Sequence, residues 1–169
     1  MNREREPYWT AFYTKPRSEK KAAERLSMNG FHIYCPTTTV LKQWSDRKKK
    51  IKVPLFTSYI FALVNEAERL QILTDPSIVS SVRWLKQPVN IPSKEIDLIK
   101  KFLGEFPQAS LSEKRVFNVG DCVEISEGIF KGTQGSVFRT KRDTVVLFLQ
   151  SLNQYLQAKL SINQVDTID

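Results

Sequence analysis

Ser58-Tyr59-Ile60-Phe61-Ala62-Leu63-Val64 carries no charge and is apolar almost without interruption. It is far shorter than the roughly 20 residues that span a membrane, and too apolar for a loop. A run of this length without polar alternation fits a central strand covered on both faces. The segments on either side say what covers it.

Upstream, Val53-Pro54-Leu55-Phe56 leads into the run. Before it, Val40 to Lys52 mixes Leu41 and Trp44 with polar residues and then reads Asp46-Arg47-Lys48-Lys49-Lys50, a hairpin with a strongly basic tip. Phe31 to Cys35 is a strand closed by Pro36. Glu19 to Met28 is rich in helix formers, and Asn29-Gly30 stops it. Ala22, Ala23 and Leu26 form its apolar stripe, which leaves Lys20, Lys21 and Arg25 towards solvent. Pro16 sits where an approaching helix tolerates it, and Tyr8 to Tyr13 is an opening strand. Downstream, Glu66 to Thr74 is a short helix ended by Asp75-Pro76, and Ile78 to Trp84 is another strand. A third helix opens at Pro92-Ser93, with serine as cap and Glu95 and Asp97 in the first turn, and runs to Leu103 before Gly104. Helices alternating with strands around one antiparallel sheet predict an α+β domain of ferredoxin-like kind over residues 1–104.

The texture changes after that. Residues 105–115 lack periodicity and contain Pro107, Gln108, Ser110 and Ser112, which reads as a linker. Residues 116–169 hold short β-rich runs divided by Gly120, Gly128, Gly132 and Gly135, the pattern of a small all-β barrel.

Charge is unevenly placed. Residues 1–64 hold 13 Lys and Arg against 5 Asp and Glu, while residues 65–169 hold 13 of each. The whole net charge of +8 therefore sits in the first 64 residues, which points to a polyanionic partner, most simply nucleic acid. Catalysis has little to work with. His32 is the sole histidine, and Cys35, three residues along the same strand, points to the opposite face. No spacing suits a metal, and Cys35 and Cys122 are expected to remain reduced thiols. The residues therefore imply a non-enzymatic, cofactor-free and metal-free cytoplasmic protein that binds no membrane and is expected to be a monomer.

Val119-Gly120-Asp121-Cys122-Val123-Glu124-Ile125, then Glu127-Gly128-Ile129-Phe130-Lys131-Gly132, then Gly135-Ser136-Val137, resemble a KOW module, an SH3-like barrel. Tyr8-Trp9-Thr10-Ala11-Phe12-Tyr13 followed by a basic helix resembles the opening of the NusG N-terminal domain. So does Val53-Pro54-Leu55-Phe56 running into Tyr59 to Val64. Together these motifs cover nearly the whole chain. Lys15-Pro16-Arg17-Ser18-Glu19-Lys20 and the stretch Gln43 to Lys50 are most similar to the specialised UpxY and RfaH type of the family. Two departures stand out: Thr57-Ser58 replaces the housekeeping Pro-Gly, and Glu68-Arg69-Leu70 stands where the RfaH type has His-Thr-Thr.

The resemblance implies a transcription elongation and antitermination factor that binds the clamp helices of RNA polymerase and suppresses pausing and termination on polysaccharide-type operons. The alternative is a general housekeeping factor coupled to Rho and the ribosome. Phe56, Tyr59 and Phe61 match the polymerase-binding motif. Lys15, Arg17, Lys20 and Lys21 match positions that face non-template DNA. Arg47, Lys48, Lys49 and Lys50 reach upstream duplex or the same strand, with Trp44 beside them to stack on a base. Phe130 matches the barrel turn that contacts ribosomal protein S10 or Rho. Some relatives refold this barrel into helices; the β-branched runs Ser136-Val137 and Val145-Val146 argue for strands here. A ribosome- or RNA-binding protein explains the barrel and the charge but not the aromatic opening.

Overall fold

The computed structural model describes residues 6–112, 124–125, 137–140, 144–152 and 154–159. They fall into two compact units, Met1–Lys100 and Lys101–Asp169.

In the first unit the elements run β1 (Tyr8–Thr14), α1 (Glu19–Met28), β2 (His32–Tyr34), β3 (Thr37–Gln43), β4 (Lys48–Pro54), β5 (Tyr59–Val64), α2 (Glu66–Ile72) and β6 (Ile78–Ser81). Then come β7 (Arg83–Trp84), β8 (Gln87–Pro88) and the start of α3 (Ser93–Glu105), which belongs to this unit as far as Lys100. The main sheet has the order β2-β5-β1-β6, and every neighbouring pair is antiparallel. Set aside β3 and β4, and the core reads strand-helix-strand-strand-helix-strand with the first and third strands adjacent in the middle. That is the ferredoxin-like arrangement. β3 and β4 form a separate ladder inserted between β2 and β5.

β5 is uninterruptedly apolar because both of its faces are covered. Ile60, Ala62 and Val64 pack with Phe12 of β1, Ala22 and Leu26 of α1, and Ile72 of α2 in one core cluster. Phe61 points the other way and is also fully buried. The register aligns Phe12 with Ile60 and Tyr13 with Tyr59, so each strand sends matching residues to each face.

The helices are fixed by local chemistry. α1 buries Glu19, Ala22 and Leu26 along one stripe. It ends at Asn29, after which Gly30 turns left-handed at φ 90°, and the Phe31 amide reaches back to the Leu26 carbonyl at 3.1 Å. α2 opens with a reciprocal capping box between Asn65 and Glu68. In α3, Ser93 is the first helical residue rather than the cap, because the Pro92 carbonyl takes the first bonds from Glu95 and Ile96. The helix runs past Gly104 to Glu105.

The strand expected over Ile78 to Trp84 is two elements. β6 ends at Ser81, and Arg83–Trp84 pairs with Gln87–Pro88 in a separate hairpin. Its two turn residues, Leu85 and Lys86, take φ of 48° and 66°. Such a turn is normally signalled by Asn or Gly, and neither is present.

In the second unit, β9 (Ser110–Ser112), β10 (Glu124–Ile125), β11 (Val137–Thr140), β12 (Thr144–Leu149) and β13 (Gln154–Lys159) make an antiparallel sheet in the order β10-β11-β12-β13-β9. β9 lies inside the stretch that the sequence assigns to the linker, paired with β13. Val146, Leu149, Leu156 and Ala158 are buried. The segment expected to be strand-forming rather than helical does carry strands. Cys122, Phe130 and the glycine-framed turns lie outside the described residues.

Candidate functional site

The candidate patch is built where β1 ends and β5 begins. The Leu55 amide donates to the Pro36 carbonyl at 2.8 Å, which turns the chain from the hairpin into β5. Phe56 drops into the interior and meets Phe61 edge-on at 5.1 Å; both are buried. Tyr59 stays half-buried at the surface, with its ring 4.6 Å from that of Tyr13, which is itself 37% exposed. Of the three expected polymerase-binding residues, only Tyr59 therefore offers substantial surface. Phe56 and Phe61 are the apolar floor, and Tyr13 is a member that the sequence reading missed. Its signal is the cross-strand register, which a linear reading does not provide. Burial, and then the contact with Tyr13, push the Tyr59 phenol up to about 12, so it remains a neutral hydroxyl at physiological pH.

Ser58 occupies the pivot of this turn with φ 63°. Its amide donates to Glu19 Oε1 at 2.6 Å, and its carbonyl accepts from the Thr14 amide at 2.9 Å. The backbone here needs positive φ, which glycine takes freely and serine adopts under strain.

Farther along the same sheet face, Trp9 meets His32 at 5.2 Å and Tyr34 at 6.5 Å. Lys100 of α3 lays its ammonium 5.4 Å above Trp9 and 5.2 Å above Tyr34.

The first basic cluster follows directly after β1, beyond Tyr13 and Thr14. Lys15, Arg17, Lys20 and Lys21 are all exposed, and Lys20 Nζ donates to the Lys52 carbonyl at 3.3 Å, joining the start of α1 to the base of the β3–β4 hairpin. The hairpin projects seven paired positions, an arm of about 20 Å at the usual rise per residue. Its register splits the charge over two faces: Lys48, Lys50 and Lys52 on one, Lys42 and Lys49 on the other, with Arg47 in the connecting turn. Lys42 and Lys49 stand directly opposite each other, a like-charge pairing that costs stability unless an anion sits between. Trp44 is 52% exposed at the tip, with Lys49 Nζ 5.9 Å from its ring centre. The two expected nucleic-acid clusters meet only at the arm's base, through Lys20 and Lys52, while Trp44 and Arg47 to Lys50 stand toward its tip; Lys42 and Lys52 are further exposed cations of the arm that the sequence reading left out.

No nucleophilic pair forms from His32 and Cys35. The imidazole is exposed and packs on Trp9. Burial first, and Glu19 second, push the Cys35 thiol up to about 11, which keeps it protonated. Among the described residues no group of three or more His, Cys, Asp and Glu is placed to hold a metal ion, and no helix is long and apolar enough to cross a membrane. Glu68-Arg69-Leu70 lies in α2. Glu68 completes the capping box, while Arg69 is buried and donates to Glu66 at 2.8 Å and to Ser81 at 3.1 Å. Two of the three residues at this departure are therefore occupied within the fold.

Residues 7–100 match the family described as "Transcription termination factor nusG". The chain belongs to the NusG family. Its members are transcription factors rather than enzymes, and the α+β unit around β5 has a NusG N-terminal-like fold. A solved structure described as "Domain interaction in Thermotoga maritima NusG" is 19% identical, with TM-score 0.55 over 96% of this chain and 98% of that one. That likeness is one of fold. Two chains from the MjSpt4:Spt5 complex, in conformations B and A, are 16% and 14% identical, each with TM-score 0.32. They cover 89% and 90% of this chain, and 91% and 99% of their own lengths are matched. No curated protein matches the chain.

Proposed function

We propose that this NusG-family chain is a transcription elongation and antitermination factor. It docks on the clamp helices of RNA polymerase through Tyr59 and Tyr13, backed by Phe56 and Phe61, and suppresses pausing and termination. One observation carries the reading: the surface tyrosine pair and the basic start of α1 lie at the same end of the sheet, joined through Glu19–Ser58, and Lys20–Lys52 ties the base of the hairpin arm to them. Tyrosine suits such a surface because it covers a large area while freezing few rotamers. With the pair seated on protein, Lys15, Arg17, Lys20 and Lys21 face single-stranded non-template DNA, and the hairpin arm reaches upstream duplex. A two-stranded ribbon is narrow enough for a major groove, and cations on both of its faces meet phosphates on both walls.

The specialised role on polysaccharide-type operons is favoured over a housekeeping one by the basic hairpin and by Ser58 in place of glycine at a strained pivot. In this reading residues 1–104 are the polymerase-binding domain, 105–115 the connector and 116–169 a KOW barrel whose Phe130 turn meets ribosomal protein S10 or Rho. The protein acts as a cytoplasmic monomer without a cofactor.

The test is transcription by purified cognate polymerase on a template with pauses and a Rho-dependent terminator. Shortened pauses and increased read-through are expected. Enhanced Rho termination indicates the housekeeping role instead. Absence of any effect, with no polymerase binding, removes the proposal.

A further inference from the structure

We propose that Glu19 is a positioning residue for the docking patch: its buried carboxylate holds the strained Ser58 pivot and thereby sets where Tyr59 stands. The inference rests on the proposed docking role of Tyr59.

Glu19 is an unusual first residue for a helix. A carboxylate in a first turn normally faces water and the free amides of its own helix. Glu19 is 3% exposed, lies on the same buried stripe as Ala22 and Leu26, and reaches across to a residue 39 positions away. The Ser58 amide donates to it at 2.6 Å, the short distance of a charge-assisted bond. Three features make this contact a mechanical one. Ser58 lies at φ 63°, which serine does not hold unless its surroundings over-determine it. The Ser58 carbonyl accepts from Thr14, the residue after Tyr13, so the pivot is stitched to both tyrosine-bearing strands. The Tyr59 amide closes the same turn onto the Phe56 carbonyl at 3.3 Å, so the residue that sends Phe56 inward and Tyr59 outward is the one that Glu19 grips. Without the acceptor the Ser58 amide is left unpaired and the serine is free to leave the left-handed region. The Tyr59 ring then loses its fixed position against Tyr13.

Glutamine retains an acceptor oxygen of the same reach, leucine retains the volume without one, and glycine at 58 takes positive φ without external support. Affinity for purified cognate RNA polymerase is measured for Glu19→Gln, Glu19→Leu and Glu19→Leu/Ser58→Gly in the full chain, with Tyr59→Ala as control. Amide exchange at Ser58 and Tyr59 is followed in parallel. Glu19→Leu should bind about tenfold more weakly and exchange faster at these two amides, while the core amides of β5 stay protected. Glu19→Gln should bind close to the parent level, and Ser58→Gly should restore most of the loss in the double variant, which a purely structural deficit would not allow. Undiminished binding by folded Glu19→Leu, or a loss that glycine leaves untouched, overturns the proposal. If Glu19→Leu does not fold, the parent chain decides: a slowly exchanging Ser58 amide supports the grip, and exchange at the rate of an open turn overturns it. If Tyr59→Ala itself binds normally, the docking reading fails, and the inference built on it falls separately from the Glu19 result.

Discussion

Removing the charge from one face of the hairpin arm should change the salt dependence of DNA binding by a calculable amount. Lys48, Lys50 and Lys52 occupy one face of the β3–β4 ladder and are all exposed. The contact from Lys20 at the arm's base goes to the Lys52 carbonyl, which substitution leaves in place. Replacing the three with glutamine therefore leaves the fold intact. Each phosphate neutralised on B-form DNA contributes about 0.9 to the slope of log affinity against log salt, so three contacts contribute up to about 2.7. Between 50 mM and 200 mM salt, a fourfold change, this amounts to a difference of about fortyfold in how steeply affinity falls. A single strand gives a shallower figure, about 2.1, because each contact there contributes about 0.7. The assay is a fluorescence titration of an upstream-fork duplex at four salt concentrations, with parent and triple variant compared at equal thermal stability. A slope unchanged by the substitutions, together with unchanged affinity, would mean that the arm meets no phosphates and is a solvated surface feature.

Ile60→Ala should destabilise the first unit by about 2–5 kcal/mol in urea unfolding, because Ile60 is fully buried among Phe12, Leu26 and Ile72; a loss below 1 kcal/mol would contradict the core placement. Asp75 is held below the usual carboxylate range chiefly by its bond to Arg25, so its contribution to stability is present above about pH 4 and is lost as pH falls through its lowered folded value. Asp75→Asn should accordingly flatten the acid side of the stability profile, and identical profiles would count against the linkage. Cys35, raised to about 11, should alkylate far more slowly at pH 8 than a free cysteine when its own peptide is followed by mass spectrometry; modification at the free-thiol rate would show that the site is open.

The parts of the fold that depend on near neighbours in sequence were legible. Glu19–Met28 is read directly from helix formers and the Asn29-Gly30 stop, and Tyr59–Val64 is recognisable as doubly covered because no polar alternation interrupts it. The hairpin around Asp46 announces itself by charge. What escaped depends on partners distant in sequence. Tyr13 joins Tyr59 only through the β1–β5 register, and Glu19 reaches Ser58 only after α1 has packed on the sheet. Phe56 and Tyr59 read alike as aromatic anchors, yet the turn between them sends one inward and the other outward. The Leu85–Lys86 turn carries none of the usual turn residues, so nothing local marks the end of β6.

Docking of the Tyr13–Tyr59 surface on RNA polymerase, as proposed, is tested by titrating purified cognate polymerase with the parent protein and with Tyr59→Ala, whose fold is first verified by thermal unfolding. Saturable binding by the parent and a loss of at least about tenfold in the variant, the scale of one interface anchor, are expected. Equal affinity of the two proteins, or no binding by the parent, would contradict that docking.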